Sequence, residues 1–113
     1  MESKVSKRTL SELDEEEAKT EQERLAALAK LDDQTRGWSY RELDVRSLCH
    51  QVASRQIPMD YEWFKFQARQ WAIGHKRIRQ MWYHWMKEAR LRFGYRQCPR
   101  RGQEYLVFVW EAA

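Results

Sequence analysis

The chain has 113 residues, which suits one folded domain with a short extension and leaves too little sequence for two hydrophobic cores. Its 42% hydrophobic residues, with six Trp, five Tyr and four Phe, predict a packed interior, while 34% charged residues keep the chain soluble. No apolar run approaches the roughly 20 residues that cross a bilayer, and the N-terminus lacks the apolar core of a signal peptide. We therefore expect a cytoplasmic protein without a membrane partner.

The charge is divided unevenly along the chain. The net charge is +4, but residues 1–40 carry −3 and residues 41–113 carry +7. Between residues 63 and 103, eleven basic residues are opposed by a single acidic one, Glu88. Such a concentration creates a potential that attracts polyanions, nucleic acid foremost, as well as acidic protein surfaces and anionic lipids.

Residues 1–37 form an acidic N-terminal arm, in which Thr9 and Glu12 have the spacing of a helix-capping box. Its leucines are too sparse for a heptad seam, so we expect a partly formed helix or a flexible arm rather than a coiled coil. Residues 32–37 are the predicted linker to a domain at 38–113. The arm is either a solubilising tail or a DNA-mimicking segment that folds over the basic face.

The domain begins with two helices that have recognisable starts. Ser39 and Glu42 form a capping box for the first helix, which should end before Pro58. Asp60 is the expected N-cap of the second helix, predicted over about 60–72. The second helix has a wide apolar side, which predicts deep packing: Trp63, Phe64, Phe66, Gln67, Ala68 and Trp71.

A short turn separates the second helix from the third. We expect Gly74 to adopt the left-handed conformation that ends a helix. The three or four residues of this turn have the length and composition of the turn in a helix-turn-helix motif.

The third helix, predicted over 75–91, divides its residues between two faces. At 100° per residue, one face is apolar and the aromatic residues on it are expected in the core: Ile78, Met81, Trp82, Trp85, Met86 and Ala89. The opposite face is basic and polar: Lys76, Arg79, Gln80, Tyr83, Lys87 and Arg90. On the flank, Arg77 and His84 lie beside Glu88, and His84 with Glu88 is expected to form a surface ion pair.

The last segment predicts an antiparallel hairpin. Residues 91–98 alternate in part between apolar and polar, and residues 104–110 are rich in β-branched and aromatic side chains. Arg100 and Arg101 lie in the turn between them.

Three helices followed by a hairpin, with a short Gly-containing turn before the third helix, resemble the winged helix-turn-helix family of DNA-binding domains. The resemblance covers about residues 38–111 and concerns architecture and charge placement. It implies that helix 75–91 enters the major groove and that residues 92–110 form a wing against the DNA backbone or minor groove. That family often has a strand between its first two helices, and because only RQIPM is available here, we expect this strand to be missing.

The residue types on the third helix and in the wing suit contacts to double-stranded DNA. Arg and Lys match guanine edges, Gln matches adenine, and basic residues elsewhere bind phosphates without reading sequence. The predicted base-reading residues are His75, Lys76, Arg79, Gln80 and Tyr83. The predicted phosphate or wing contacts are Arg77, Lys87, Arg90, Arg92, Arg100 and Arg101.

Catalytic, metal and cofactor sites are not predicted. The histidines and the two cysteines, Cys49 and Cys98, have no recognised zinc spacing, and no phosphate loop or nucleophile motif occurs. We expect reduced thiols, no cofactor and no enzymatic activity.

Three functions remain open at this point. The leading hypothesis is a sequence-specific double-stranded DNA-binding regulator of transcription or replication, such as a repressor. It would be nucleoid-associated in a bacterium or encoded by a phage, and a homodimer would read two half-sites. The alternative is a protein-interaction module or small inhibitor that binds a nucleic-acid-processing protein. RNA binding is the third, and it requires aromatic side chains free to stack on bases.

Overall fold

Four helices and three short strands make up the part of the chain that the computed structural model describes, residues 20–98 and 105–108. This part is mainly helical, as the sequence predicts. Helices α1, α2, α3 and α4 span Glu21–Gln34, Tyr40–Ser54, Tyr61–Gln70 and His75–Glu88, and strands β1, β2 and β3 span Met59–Asp60, Tyr95–Cys98 and Tyr105–Phe108.

Helix α1 lies within the predicted acidic arm and packs on the rest of the molecule. Thr20 is its N-cap, because the Thr20 hydroxyl oxygen accepts a 3.0 Å hydrogen bond from the Glu23 amide. Two buried leucines, Leu28 and Leu31, pack with Leu91 in a small apolar cluster beside the main core. The second half of the arm is therefore a docked helix.

The predicted linker, residues 32–37, is helical rather than extended. Helix α1 continues through its first three residues, and the rest form a 3₁₀ turn. The Thr35 side chain is buried, and its hydroxyl donates a 2.7 Å hydrogen bond to the Asp32 carbonyl. The polar composition favoured a linker, but these local contacts hold the segment in a helical conformation at the end of α1. The capping box predicted at the start of the arm lies outside the described residues.

Helix α2 begins where the sequence predicts. The Glu42 amide donates to the Ser39 hydroxyl at 3.3 Å, and the Glu42 carboxylate accepts a 2.9 Å bond from the Ser39 amide. This is the predicted capping box. The helix buries Val45, Cys49 and Ala53 and ends before Pro58, which confirms its predicted end.

Helix α3 has the predicted N-cap but a narrower buried side than expected. The Asp60 carboxylate accepts a 2.9 Å hydrogen bond from the Trp63 amide. Phe64 and Ala68 are fully buried, whereas Phe66 is 61% exposed. The prediction of deep packing on all apolar positions was wrong for Phe66, because α3 is covered on one side and Phe66 points away from that side.

In the turn between α3 and α4, the left-handed residue comes two positions earlier than predicted. Ala72, with φ of 60°, takes the left-handed conformation that was expected of Gly74. Gly74 has φ of −70° and is the N-cap of α4. The helix ends at Gln70, so the positive φ is needed two residues before the glycine.

Helix α4 buries the face that its periodicity predicts. Ile78, Met81, Trp82 and Trp85 are all at most 2% exposed and belong to the main core. The aromatic stripe of this helix is therefore core.

A π-helical turn, Ala89–Phe93, continues α4, and Gly94 ends it with φ of 77°. Residues 91–93 were predicted in a strand. They are helical, and Leu91 is buried against Leu28 and Leu31 of α1.

The three strands pair in the order β1-β3-β2, and both pairs are antiparallel. Strand β2 runs against β3 from Tyr95 opposite Phe108 to Cys98 opposite Tyr105, in agreement with the predicted pairing of these segments. Strand β1 pairs with the other side of β3, so the strand expected to be missing is present. At two residues it is too short to show the alternation by which strands are recognised in a sequence.

The docking of α1 can be measured with two leucines of the same helix. We expect Leu28→Ala to lower the free energy of unfolding by about 2 kcal/mol, because it empties part of the cluster with Leu31 and Leu91. Leu25→Ala is the control: Leu25 is 52% exposed, so the change should stay below about 0.5 kcal/mol. Guanidinium chloride denaturation followed by Trp fluorescence compares the two, and equal effects would contradict docking through Leu28.

Candidate nucleic-acid interface

The outer side of α4 carries all five residues that the sequence assigns to base reading. These side chains are exposed, and so is Lys87 on the same side. We call this set the α4 face: His75, Lys76, Arg79, Gln80, Tyr83 and Lys87.

The α4 face is supported from behind by a dense aromatic core. The Trp82 ring is fully buried and lies 5.1 Å from the Phe64 ring and 5.8 Å from the Tyr61 ring, centroid to centroid. Offset and edge-on aromatic contacts of this kind stabilise one arrangement of the rings. Rotation of α4 about its axis would disrupt them, so the face has a defined orientation.

Helix α3 extends the positive charge of this face. The Arg79 guanidinium lies 5.8 Å from the centroid of the Tyr61 ring, and the Lys65 ammonium lies 5.7 Å from the same centroid. Both are cation–π distances. Lys65 was counted in the basic segment but was not predicted as a site residue; its i, i+4 spacing from Tyr61 was the available signal.

Arg77, a predicted phosphate contact, is instead bonded within the protein. Its guanidinium donates to both Glu42 carboxylate oxygens, at 2.7 and 3.3 Å, and lies 5.2 Å from the Trp38 ring centroid. The hydrogen bond from Arg77 is the main reason that the pKa of Glu42 is lowered. A third bond, 3.1 Å to the side-chain oxygen of Gln80, orients a residue of the α4 face. Arg77 thus attaches the N-terminal half of α4 to the start of α2.

The C-terminal end of α4 is held by a buried carboxylate, Glu88. Its side chain is fully buried and accepts two hydrogen bonds from Arg46, at 2.7 and 3.0 Å. Arg92 donates a third bond at 3.1 Å, and His50 Nε2 lies 2.7 Å from the same oxygen. Because the carboxylate can only accept, His50 Nε2 carries the proton. We call Glu88, Arg46, His50 and Arg92, with Asp32, the Glu88 cluster.

His84 and Glu88 come together as expected, but the pair is buried and not on the surface. His84 Nδ1 is 3.9 Å from the carboxylate, and the His84 side chain is only 8% exposed. His84 Nε2 lies 2.9 Å from the Leu31 carbonyl of α1, which can only accept, so this nitrogen is the donor. The two residues share a helix face as predicted, but α1 and α2 cover that face.

The surroundings of Glu88 keep it ionised. Burial by itself would raise its pKa, but the hydrogen bonds and positive charges of His50 and Arg46 outweigh burial and lower the pKa from 4.5 to about 2. Glu88 therefore carries its full negative charge at neutral pH.

Asp32 completes the Glu88 cluster from α1. A single oxygen, Asp32 Oδ1, accepts from Arg46 at 2.8 Å and from Arg92 at 2.9 Å. Arg92, another predicted phosphate contact, is therefore shared between two carboxylates. Asp32, Arg46 and His50 were not predicted as site residues. The weak signals in the sequence were the i, i+4 spacings of Arg46 with His50 and of Glu88 with Arg92, which place each pair on one helix face.

The predicted phosphate contacts within the described residues differ in their surroundings. Lys87 is exposed, Arg90 is half-buried, and Arg77 and Arg92 are paired with carboxylates. The predicted wing-tip residues Arg100 and Arg101 lie outside the described residues.

Residues 20–98 and 105–108 offer little support for a metal site, a nucleophilic cysteine or a membrane-spanning helix. No group of three or more His, Cys, Asp or Glu side chains within them could hold a metal ion. Burial raises the pKa of the Cys49 thiol well above its usual range, which makes a nucleophilic role unfavourable. No helix in this part of the chain is both long and apolar enough to cross a membrane.

Comparison of the chain with protein-family models, curated proteins and solved structures gives no match. The function is therefore inferred from the residues and their geometry.

We expect Glu88→Gln to lower the free energy of unfolding by about 3–5 kcal/mol, because Arg46 would lose its buried ionised partner and keep only the half-exposed Asp32. Glu62→Gln is the matched control: Glu62 is exposed and lies 3.7 Å from Lys65, so its loss should cost less than about 1 kcal/mol. Urea denaturation at neutral pH measures both. Similar small losses would mean that the Glu88 cluster contributes little to stability.

The stability contributed by Glu88 should depend on pH with a defined sign. Its pKa is lower in the folded protein, about 2 against 4.5, so the contribution is complete above pH 4.5 and is lost as the pH falls towards 2. The contribution of ionised Glu88 to the free energy of unfolding is about 3 kcal/mol, at 1.36 kcal/mol per pKa unit. Denaturation between pH 6 and 2 measures it, and Glu88→Gln should remove this component. A loss of the same size in the variant would assign the acid sensitivity to other groups.

Proposed function

We propose that this protein is a sequence-specific double-stranded DNA-binding regulator, that α4 reads bases in the major groove, and that it is not an enzyme. The observation that carries the proposal is the α4 face. Donors and acceptors suited to base edges project from one side of a helix whose other side is locked in an aromatic core. Rigid presentation of such side chains is what direct readout requires, because base edges are recognised by bidentate hydrogen bonds of fixed geometry.

The arrangement of elements supports the winged helix form of this proposal. Helices α2, α3 and α4 precede the β2–β3 pair, and β1 joins the same sheet from between α2 and α3. In that form, α4 lies in the groove and the segment between β2 and β3 is the wing.

Different residues of the α4 face suit different contacts to DNA. Lys76 and Arg79 suit guanine O6 and N7, whereas Gln80 suits adenine N6 and N7. The bond from Arg77 to Gln80 limits the rotation of the Gln80 amide, which lowers the entropy lost when it binds a base. Lys87, at the far end of the face, suits a phosphate.

A protein partner is the second candidate, favoured by two of the three exposed aromatic side chains in the described part of the chain. Tyr83 is 48% exposed on the α4 face, and Phe66 is 61% exposed on α3. Exposed aromatics near arginines are frequent interface anchors. In the part of the chain that the structure describes no Trp side chain is exposed, which gives less weight to this candidate and to RNA binding by base stacking.

The test is selection of the purified protein against a random double-stranded DNA library. Enriched and scrambled duplexes are then titrated at two salt concentrations. We expect an enriched motif whose discrimination persists at higher salt, and a symmetric motif would indicate a homodimer. Weak binding without a motif that disappears with salt would contradict the proposal and direct the search to protein partners.

Arg79→Ala should weaken binding to the selected site by about 1–3 kcal/mol and relax its sequence preference, because a bidentate base contact is lost. Arg41→Ala is the matched control, since Arg41 is exposed on α2 and its removal changes the net charge equally. Fluorescence anisotropy with selected and scrambled duplexes measures both variants. If Arg79→Ala weakened both duplexes equally, base reading by α4 would be wrong even with DNA binding intact.

A further inference from the structure

Two arginines from different helices converge on one oxygen atom of α1. Arg46 of α2 and Arg92, just beyond α4, each donate to Asp32 Oδ1, at 2.8 and 2.9 Å. Two guanidinium groups directed at one anionic oxygen are also the arrangement that binds a phosphate oxygen.

The two carboxylates that these arginines contact differ in accessibility. The Glu88 side chain is fully buried, whereas the Asp32 side chain is 50% exposed. An external anion could therefore replace Asp32 without opening the core, but it could not replace Glu88. With Glu88 in place, Arg46 and Arg92 retain one net positive charge for the replacing anion.

Local helix physics does not explain an acidic residue at this position. Asp32 lies near the C-terminal end of α1, where the helix dipole disfavours negative charge and where the last turn holds no basic residue. The positive charges of Arg46 and Arg92 offset the unfavourable position of Asp32.

We propose that Arg46 and Arg92 form a phosphate-binding position and that Asp32 occupies it as an internal anion, so that α1 competes with the backbone of bound DNA. This inference rests on the proposed DNA-binding function and concerns its regulation. Only the Asp32 side chain has to move, because Leu28 and Leu31 hold α1 independently of it.

The position is compatible with contact to a duplex bound at the α4 face. Arg92 follows Lys87 by five residues, which is roughly 7 Å along a helix axis. Five residues also turn a helix by about 140°, so Arg92 lies beyond the edge of the α4 face, on the side of α1 and α2, and the position suits a backbone phosphate outside the contacts of that face. Displacing Asp32 would add phosphate contacts and affinity that do not depend on sequence.

Asp32→Asn tests the inference, with Asp33→Asn as its matched control. Both changes remove one negative charge from the same end of α1, but within the described residues Asp33 pairs only with the exposed Arg36, at 3.1 Å. Binding to a labelled duplex of random sequence is measured by anisotropy across about 50 to 200 mM salt. We expect Asp32→Asn to bind about threefold to tenfold more tightly than Asp33→Asn at the low-salt end. Its salt slope should be steeper by roughly 1, as for one added phosphate contact.

A double variant, Asp32→Asn with Arg92→Gln, should lose the gain and bind no more tightly than Asp33→Asn with Arg92→Gln, which has the same net charge. Thermal unfolding of each variant establishes that it is folded. If wild type binds the duplex and the two single variants bind equally, the inference is overturned while the proposed function stands. If no variant binds at low salt, both are overturned. A gain that persists in the double variant also overturns the inference, because it would not involve Arg92.

Discussion

The buried carboxylate of Glu88 constrains the relative positions of three helices. Removing a carboxylate from water is costly, and the cost is offset only where donors surround it closely. Here the donors come from α2 and from the turn that extends α4, and their remaining capacity is directed at Asp32 of α1. A shift of α2 or α4 would leave a charge buried without its partner, and a shift of α1 would break the two arginine hydrogen bonds to Asp32. The ion network therefore selects one packing of α1, α2 and α4 among those that an apolar core alone would allow.

This constraint explains how α4 presents its outer side. Helix α4 is tied to α2 at both ends, through Arg77 with Glu42 and through Glu88 with Arg46. Between these ties, the Trp82 side chain packs against α3 and fixes the rotation of the helix. The α4 face is held in position before any partner arrives, so little conformational entropy would be lost on binding.

The same network changes how the charge of the chain should be understood. Counting residues assigns ten net positive charges to residues 63–103, but part of that charge is neutralised inside the protein. Arg77 and Arg92 pair with carboxylates that lie outside that segment or are buried within it. Paired charges contribute little field at a distance, so the attraction for a polyanion comes mainly from residues that form no ion pair within the described part of the chain, such as Lys76, Arg79 and Lys87.

The sequence by itself determined the features that depend on neighbouring residues. The caps at Ser39 and Asp60 and the two faces of α4 follow from hydrogen bonds and periodicity within one or two helical turns. Only the tertiary structure decided which charged residues of the candidate site remain available to a partner. Glu88 and Arg46 are 42 residues apart, and nothing in their local sequence indicates that they meet. Whether a charge is solvated or paired depends on which helices pack together, and that is a property of the whole core.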